Sequence, residues 1–199
     1  MQISYKMDVL TAIELFSVIT GLIYLILLIQ ENIWCWFFGI LSSLAFIIVM
    51  YKSQLYSESI LYFFYVFVGL YGIYKWKDRG KNRVVIKRTT FLNIALILIS
   101  GTLLSFGVGY LFDSYTDAQR PFADATSSVF SVLASFMEAH KWLSAWIFWI
   151  VINAFSIWLY FDRELNMASF LMVVYFLLSI FGFLQWRKNM QNNNLPKAA

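Results

Sequence analysis

Four residues in the C-terminal half of the chain have the types and spacing to hold a small polar molecule. Trp149, Asn153, Ser156 and Tyr160 follow at intervals of four, three and four residues, which in an α-helix sets them on one face. That face would carry two aromatic rings, a carboxamide and two hydroxyls. The chemistry is recognition: the rings can stack or hold a cation, at about 0.5–2 kcal/mol per cation–π contact, while the amide and hydroxyls can hydrogen-bond a polar group. The plainer role for an asparagine inside an apolar helix is to bridge to another helix, a contact worth about 0.6–2 kcal/mol.

A second stripe, Glu58, Tyr62, Tyr65, Gly69, Gly72 and Trp76, keeps helical steps of four and three. Its glycines would let another helix or a guest approach closely. Tyr62 and Tyr65 lie deepest and are assigned to the cavity. Tyr175, the counterpart of Tyr65 in a repeat described below, joins them, as do Ser42 and Ser43 on the preceding helix. Glu58 has two readings. It could attract a cation or bind a coupling proton, yet it follows Ser57, a good helix cap, and an acid in the first turn favours the helix dipole with no further role. Trp36, Trp76 and Trp186 read as ordinary helix packing, with Trp76 an interfacial anchor.

Bond-making chemistry finds no support. The chain has one cysteine, Cys35, and one histidine, His140, so neither a disulfide framework nor a paired metal site is expected. No HExxH, Gly-rich phosphate loop or serine triad is present. No catalytic residue, metal or cofactor is expected, and the protein is not expected to be an enzyme.

Such stripes need helices to carry them, and composition says which solvent those helices have. Of 199 residues, 61% are hydrophobic and 13% charged, against roughly 25% charged in a soluble domain. The bilayer must be the solvent. A net charge of +4 could suggest nucleic acid, but the basic residues flank apolar runs and form no soluble face, so no nucleic-acid partner is expected. The first apolar run starts near Leu10 after a nearly neutral stretch, with no basic n-region or small-residue cleavage site, so no cleaved signal peptide is expected.

Runs of about 20 apolar residues, enough for one crossing, lie near Leu10–Ile29, Ile33–Tyr51, Ser57–Trp76, Phe91–Phe112, Asp124–Ala139, Trp142–Tyr160 and Met167–Trp186. The fifth is short and rich in Ser and Ala. The expected fold is all-α, with seven transmembrane helices. Lys77, Arg79, Lys81, Arg83, Lys87 and Arg88 crowd the linker after the third run, and Arg187, Lys188 and Lys197 the tail. Short cytoplasmic loops retain such residues. This places the C-terminus in the cytoplasm and the N-terminus outside, with the acidic loop holding Asp113, Asp117 and Asp124.

Glu14–Trp76 aligns on Asp124–Trp186 without a gap. Trp36 meets Trp146, Phe38 meets Phe148, Leu55 meets Leu165, Ser59 meets Ser169, Tyr65 meets Tyr175, Gly72 meets Gly182 and Trp76 meets Trp186. Two three-helix units share an orientation only if one further helix returns the chain across the membrane. The expected order is therefore a first repeat over 10–76, a basic cytoplasmic linker and connecting helix over 77–112, a second repeat over 124–186 and a cytoplasmic tail over 187–199. Parallel repeats in a three-one-three arrangement resemble the SWEET architecture, in which the solute site lies near the midplane.

The segment from Asn32 to Trp76, NIWCWFFGILSSLAFIIVMYKSQLYSESILYFFYVFVGLYGIYKW, and that from Trp149 to Trp186 resemble the two repeats of PnuC-type vitamin transporters. Trp149 with Asn153 matches a Trp-Xaa-Xaa-Xaa-Asn pattern on that family's sixth helix. Leu55-Tyr56, Tyr71-Gly72 and Trp76 match its third helix. The resemblance implies facilitated uptake of nicotinamide riboside through a bacterial cytoplasmic (inner) membrane, trapping of the substrate by cytoplasmic phosphorylation, and a homotrimer. Where the family commonly has glutamine and asparagine, this chain has Tyr62 and Ser42, and the ENIWCW stretch from Glu31 resembles the thiamine-transporting PnuT-type relatives as well. Both cargoes stay open. A non-transporting membrane interaction protein is the reading of another class.

Overall fold

The computed structural model describes residues 2–52, 56–77, 85–115, 120–162 and 166–193, with side chains for 9–52, 59–77, 85–115, 120–162 and 168–192. Leu55, Arg79, Lys81, Arg83, Asp117, Arg163, Leu165 and Lys197, and the side chains of Tyr56, Ser57 and Glu58, lie outside the described residues. Seven helices follow in order: α1 (Gln2–Ile29), α2 (Trp34–Lys52), α3 (Tyr56–Trp76), α4 (Phe91–Tyr115), α5 (Pro121–Ala139), α6 (Ser144–Asp162) and α7 (Asn166–Asn193).

Six of them, all but α5, are long and apolar enough to cross a membrane. The expected count of helices is met, but α5 does not qualify as a span by composition. Its burial explains why it can be more polar: Ala125, Ser131, Ala134, Ser135, Met137, Glu138 and Ala139 are buried, and only Phe122 and Phe136 among its large apolar residues are exposed. A helix covered by protein need not be as apolar as lipid. By contrast α4 displays Leu92, Leu96, Ile99, Leu103 and Phe106.

The chain forms two compact units, Met1–Val84 and Val85–Ala199. In the first, α1 packs on α2 and α2 on α3. In the second, α4 packs on α5, α5 on α6 and α6 on α7. The expected connecting helix, α4, thus packs on α5.

Inside each unit the same local devices recur at the positions paired by the sequence repeat. After α1, Glu31 N–H donates to Leu28 C=O and Asn32 N–H to Leu27 C=O; after α5, Lys141 N–H donates to Glu138 C=O and Trp142 N–H to Met137 C=O. These are paired Schellman-type helix ends, which need a left-handed residue just past the helix. That residue is Glu31 (φ 57°) in one and Lys141 (φ 52°) in the other, where glycine is usual. Trp36 meets Trp76 edge-on at 5.5 Å, and Trp146 meets Trp186 edge-on at 5.4 Å. Ser59 Oγ donates to Ile47 C=O, and Ser169 Oγ to Ile157 C=O. The sequence repeat is therefore also a repeat of packing.

The three tryptophans read as packing residues take that role. Trp36, Trp76 and Trp186 are buried at helix contacts. Gly72 and Gly182 explain how such large rings fit: a Cβ at Gly72 would lie 2.2 Å from the Trp36 ring, and one at Gly182 would lie 2.4 Å from Trp146. The indole occupies the space that any side chain would need.

Candidate functional site

Asn153 sits midway along α6, whose ends are Ser144 and Asp162, about 14 Å from either end at 1.5 Å per residue. Its side chain is buried, and its Nδ2 donates to Ser179 Oγ of α7 at 3.1 Å. Ser179 in turn donates to the Tyr175 carbonyl at 2.7 Å. One turn along α6, buried Ser156 meets Ser127 of α5 at 3.5 Å between hydroxyl oxygens. Polar groups from α5, α6 and α7 thus gather near the middle of the second unit.

The carboxamide has two N–H donors and an acceptor oxygen. Among the described residues it makes the one bond to Ser179, leaving an oxygen and an N–H available. One turn before Asn153, the Trp149 Nε1 is buried with no hydrogen-bond partner among the described residues. A buried donor left unpaired costs about 1–3 kcal/mol; the packing indoles of Trp36 and Trp146 are unpaired in the same way. Tyr160, half-buried, completes the stripe one turn beyond Ser156.

The ends of this bundle are tied down. Near the start of α5, Arg120 Nη2 lies 2.5 Å from Asp162 Oδ2 at the end of α6, and its guanidinium lies 5.2 Å from the Trp158 ring centroid. At the other end the segment before α4 pairs with the α5–α6 turn: Lys87 N–H donates to Lys141 C=O at 3.1 Å, and Leu143 N–H to Lys87 C=O at 3.0 Å. Thr89 and Ser144 are joined through their hydroxyls. These contacts link the start of α5 to the end of α6, and the segment before α4 to the α5–α6 turn.

The first unit carries the remaining candidates. Tyr62 of α3 stacks on Phe46 of α2 with centroids 4.7 Å apart and meets Tyr65 edge-on at 5.8 Å. All three are half-buried. Ser42 Oγ donates to Ser17 C=O of α1 at 2.8 Å, and Ser43 Oγ to Gly39 C=O at 2.8 Å. Both serines are thus engaged with backbone, as helix-packing hydroxyls. Glu58 falls in the first turn of α3.

The repeat shows why the midplane pair exists only in the second unit. Asn153 corresponds to Ser43 and Ser179 to Gly69. Ser43 donates to Gly39 C=O of its own helix, and a Cβ at Gly69 would lie 2.6 Å from Ile40. Sequence reading found Asn153 and Ser156 but missed their partners Ser127 and Ser179. Ser179 stands one helical turn beyond Tyr175, and Ser127 pairs with Ser17 in the repeat. A search for small polar residues at matched depths would have found both.

A sequence profile of the nicotinamide mononucleotide transporter family matches residues 11–188. The chain is 22% identical over 204 residues to the nicotinamide riboside transporter PnuC of Escherichia coli (strain K12), covering 89% of this chain and 85% of that protein. It is 23% identical over 193 residues to PnuC of Haemophilus influenzae, covering 92% and 82%. To the riboflavin/roseoflavin transporter RibM of Streptomyces davaonensis it is 24% identical over 184 residues, covering 89% and 85%. The crystal structure of a vitamin B3 transporter PnuC matches with a TM-score of 0.75 at 20% identity, over 96% of this chain and 87% of that one. That last likeness establishes the fold.

Proposed function

Because the chain belongs to the nicotinamide mononucleotide transporter family, we propose that it carries nicotinamide riboside into the cell by facilitated diffusion. It is a multi-pass membrane protein of a bacterial transporter family, and the finer assignment rests on its own residues. The observation that carries it is the Asn153–Ser179 pair at mid-helix depth, one turn from the unpaired Trp149 N–H. Nicotinamide riboside is a cationic aromatic ring joined to a polar sugar. The free amide groups and the indole N–H suit the ribose and carboxamide oxygens, and aromatic rings suit the pyridinium. Tyr160, Ser156 and Tyr175 are assigned to the same site, and Tyr62 and Tyr65 as ring faces of the first unit.

Uniport is energetically sufficient. A monocation entering an inside-negative cell gains about 2.3 kcal/mol per 100 mV, enough to concentrate it about fiftyfold. Cytoplasmic phosphorylation would then remove free substrate and sustain entry. The N-terminus outside, the C-terminus inside, a homotrimer and the three-one-three helix order belong to the same proposal. The helix order draws support from the turn, Trp pair and serine contact repeated within each unit.

Thiamine is the second reading. Tyr62 stacked on Phe46 offers an aromatic surface where a glutamine is common in nicotinamide riboside transporters, and the RibM likeness adds riboflavin as a comparison. Calorimetric titration of the purified protein with nicotinamide riboside, thiamine and riboflavin separates them. Saturable binding of nicotinamide riboside is expected. Binding of thiamine or riboflavin alone would overturn the cargo, and binding of none would favour a non-transporting interaction protein.

A further inference from the structure

Helices α4 and α5 border a partly open pocket of about 140 Å³ lined by Thr102, Ser105, Phe106, Phe122, Thr126 and Phe130. Its construction is regular. A Cβ at Gly101 would lie 2.7 Å from the Phe130 ring, and one at Gly109 would lie 2.5 Å from Phe122. Each ring of α5 is therefore seated on a glycine of α4. Ser105 lies one turn from each of those glycines and Thr126 one turn from each of those rings, so small residues line the space between the two rings.

One buried hydroxyl there is unused. Thr126 Oγ1 donates to Phe122 C=O at 2.7 Å. Ser105 is 5% exposed, and its Oγ has no hydrogen-bond partner among the described residues. Helical serines usually satisfy themselves on the carbonyl four residues back, as Ser43, Ser135 and Ser179 do in this protein. Ser105 does not bond to Gly101 in this way. A buried hydroxyl left unpaired is unfavourable, and this one lines an apolar space large enough for a guest.

We infer that this cavity is a second binding site, distinct from the Asn153 site, for a neutral monocyclic aromatic molecule bearing one hydroxyl that pairs with Ser105. Size sets the ring: about 150 Å³ is volume enough for a benzene. Three phenylalanines supply its ring contacts. No charged side chain lines the cavity, and an ion taken there unpaired would lose several kcal/mol of solvation, so the guest is neutral. A lipid chain end could fill the volume, but it would leave Ser105 unsatisfied.

The test uses the full chain in lipid nanodiscs with two fluorine-NMR probes, 4-fluorophenol and fluorobenzene. Saturable binding of 4-fluorophenol is expected, weakened about tenfold by Ser105→Ala, as loss of one buried hydrogen bond implies. Fluorobenzene should bind wild type and Ser105→Ala alike, and Ser105→Leu, which fills the space, should exclude both probes. If Ser105→Leu does not fold, the Ser105→Ala comparison decides alone. No saturable binding of 4-fluorophenol, or equal affinity in wild type and Ser105→Ala, would overturn the assignment. The second result would mean a plain apolar gap of the kind lipid chains fill.

Discussion

Asn153 has a partner, a depth and spare hydrogen-bonding capacity, and these three properties set its expected response to substitution. Leucine is nearly the same size but cannot bond Ser179 or a guest. Asn153→Leu should weaken nicotinamide riboside binding by more than about tenfold with the yield of folded protein unchanged, as read by calorimetry and size-exclusion chromatography. Unaltered affinity would remove the residue from the site. Ser179→Ala takes away the group that orients the carboxamide and should weaken binding by a smaller factor, about threefold to tenfold. At this scale the sequence exposed the stripe because helical spacing fixes what shares a face on one helix. It left Ser127 and Ser179 hidden, because which residues face Asn153 and Ser156 from α5 and α7 depends on register between helices. Ser42 and Ser43 are candidates by type, and the carbonyls that accept from their hydroxyls cannot be read from type alone.

The helices themselves were legible from apolar runs, with differences concentrated at the ends. The expected first helix starts near Leu10 and the observed one at Gln2; the expected last one stops at Trp186 and the observed one at Asn193. Hydropathy marks where lipid ends, but a helix can continue into water past Lys6 or Arg187. The start of α5 moves from Asp124 to Pro121, which lies in its first turn where a missing N–H is harmless. Helix pairing gives a sharper test. Gly72→Ala and Gly182→Ala each push a methyl against a buried indole and should destabilise the fold by about 1–3 kcal/mol, seen as a lower thermal midpoint in detergent. Gly107 meets nothing within 4 Å, so Gly107→Ala should be neutral or stabilising by up to about 1 kcal/mol. Equal effects at all three positions would contradict the packing described.

Across the whole molecule, composition gave the solvent, charge placement predicts an orientation, and the internal repeat gave matching packing in the two units. The cargo was not legible, because ring stacking and amide contacts suit several cationic or aromatic vitamins alike. Orientation is testable by cysteine labelling, since native Cys35 is buried. A cysteine introduced at Lys188 should react with an impermeant reagent only from the cytoplasmic side, and one at Tyr115 only from outside; the reverse pattern would invert the topology. Transport is the central claim, and the most direct measurement is uptake of labelled nicotinamide riboside into ATP-free proteoliposomes under an imposed inside-negative potential. Saturable accumulation that grows with the potential, towards about fiftyfold at 100 mV, is the expected result. Uptake no greater than in protein-free liposomes, with the protein shown to be folded and inserted, would contradict the account.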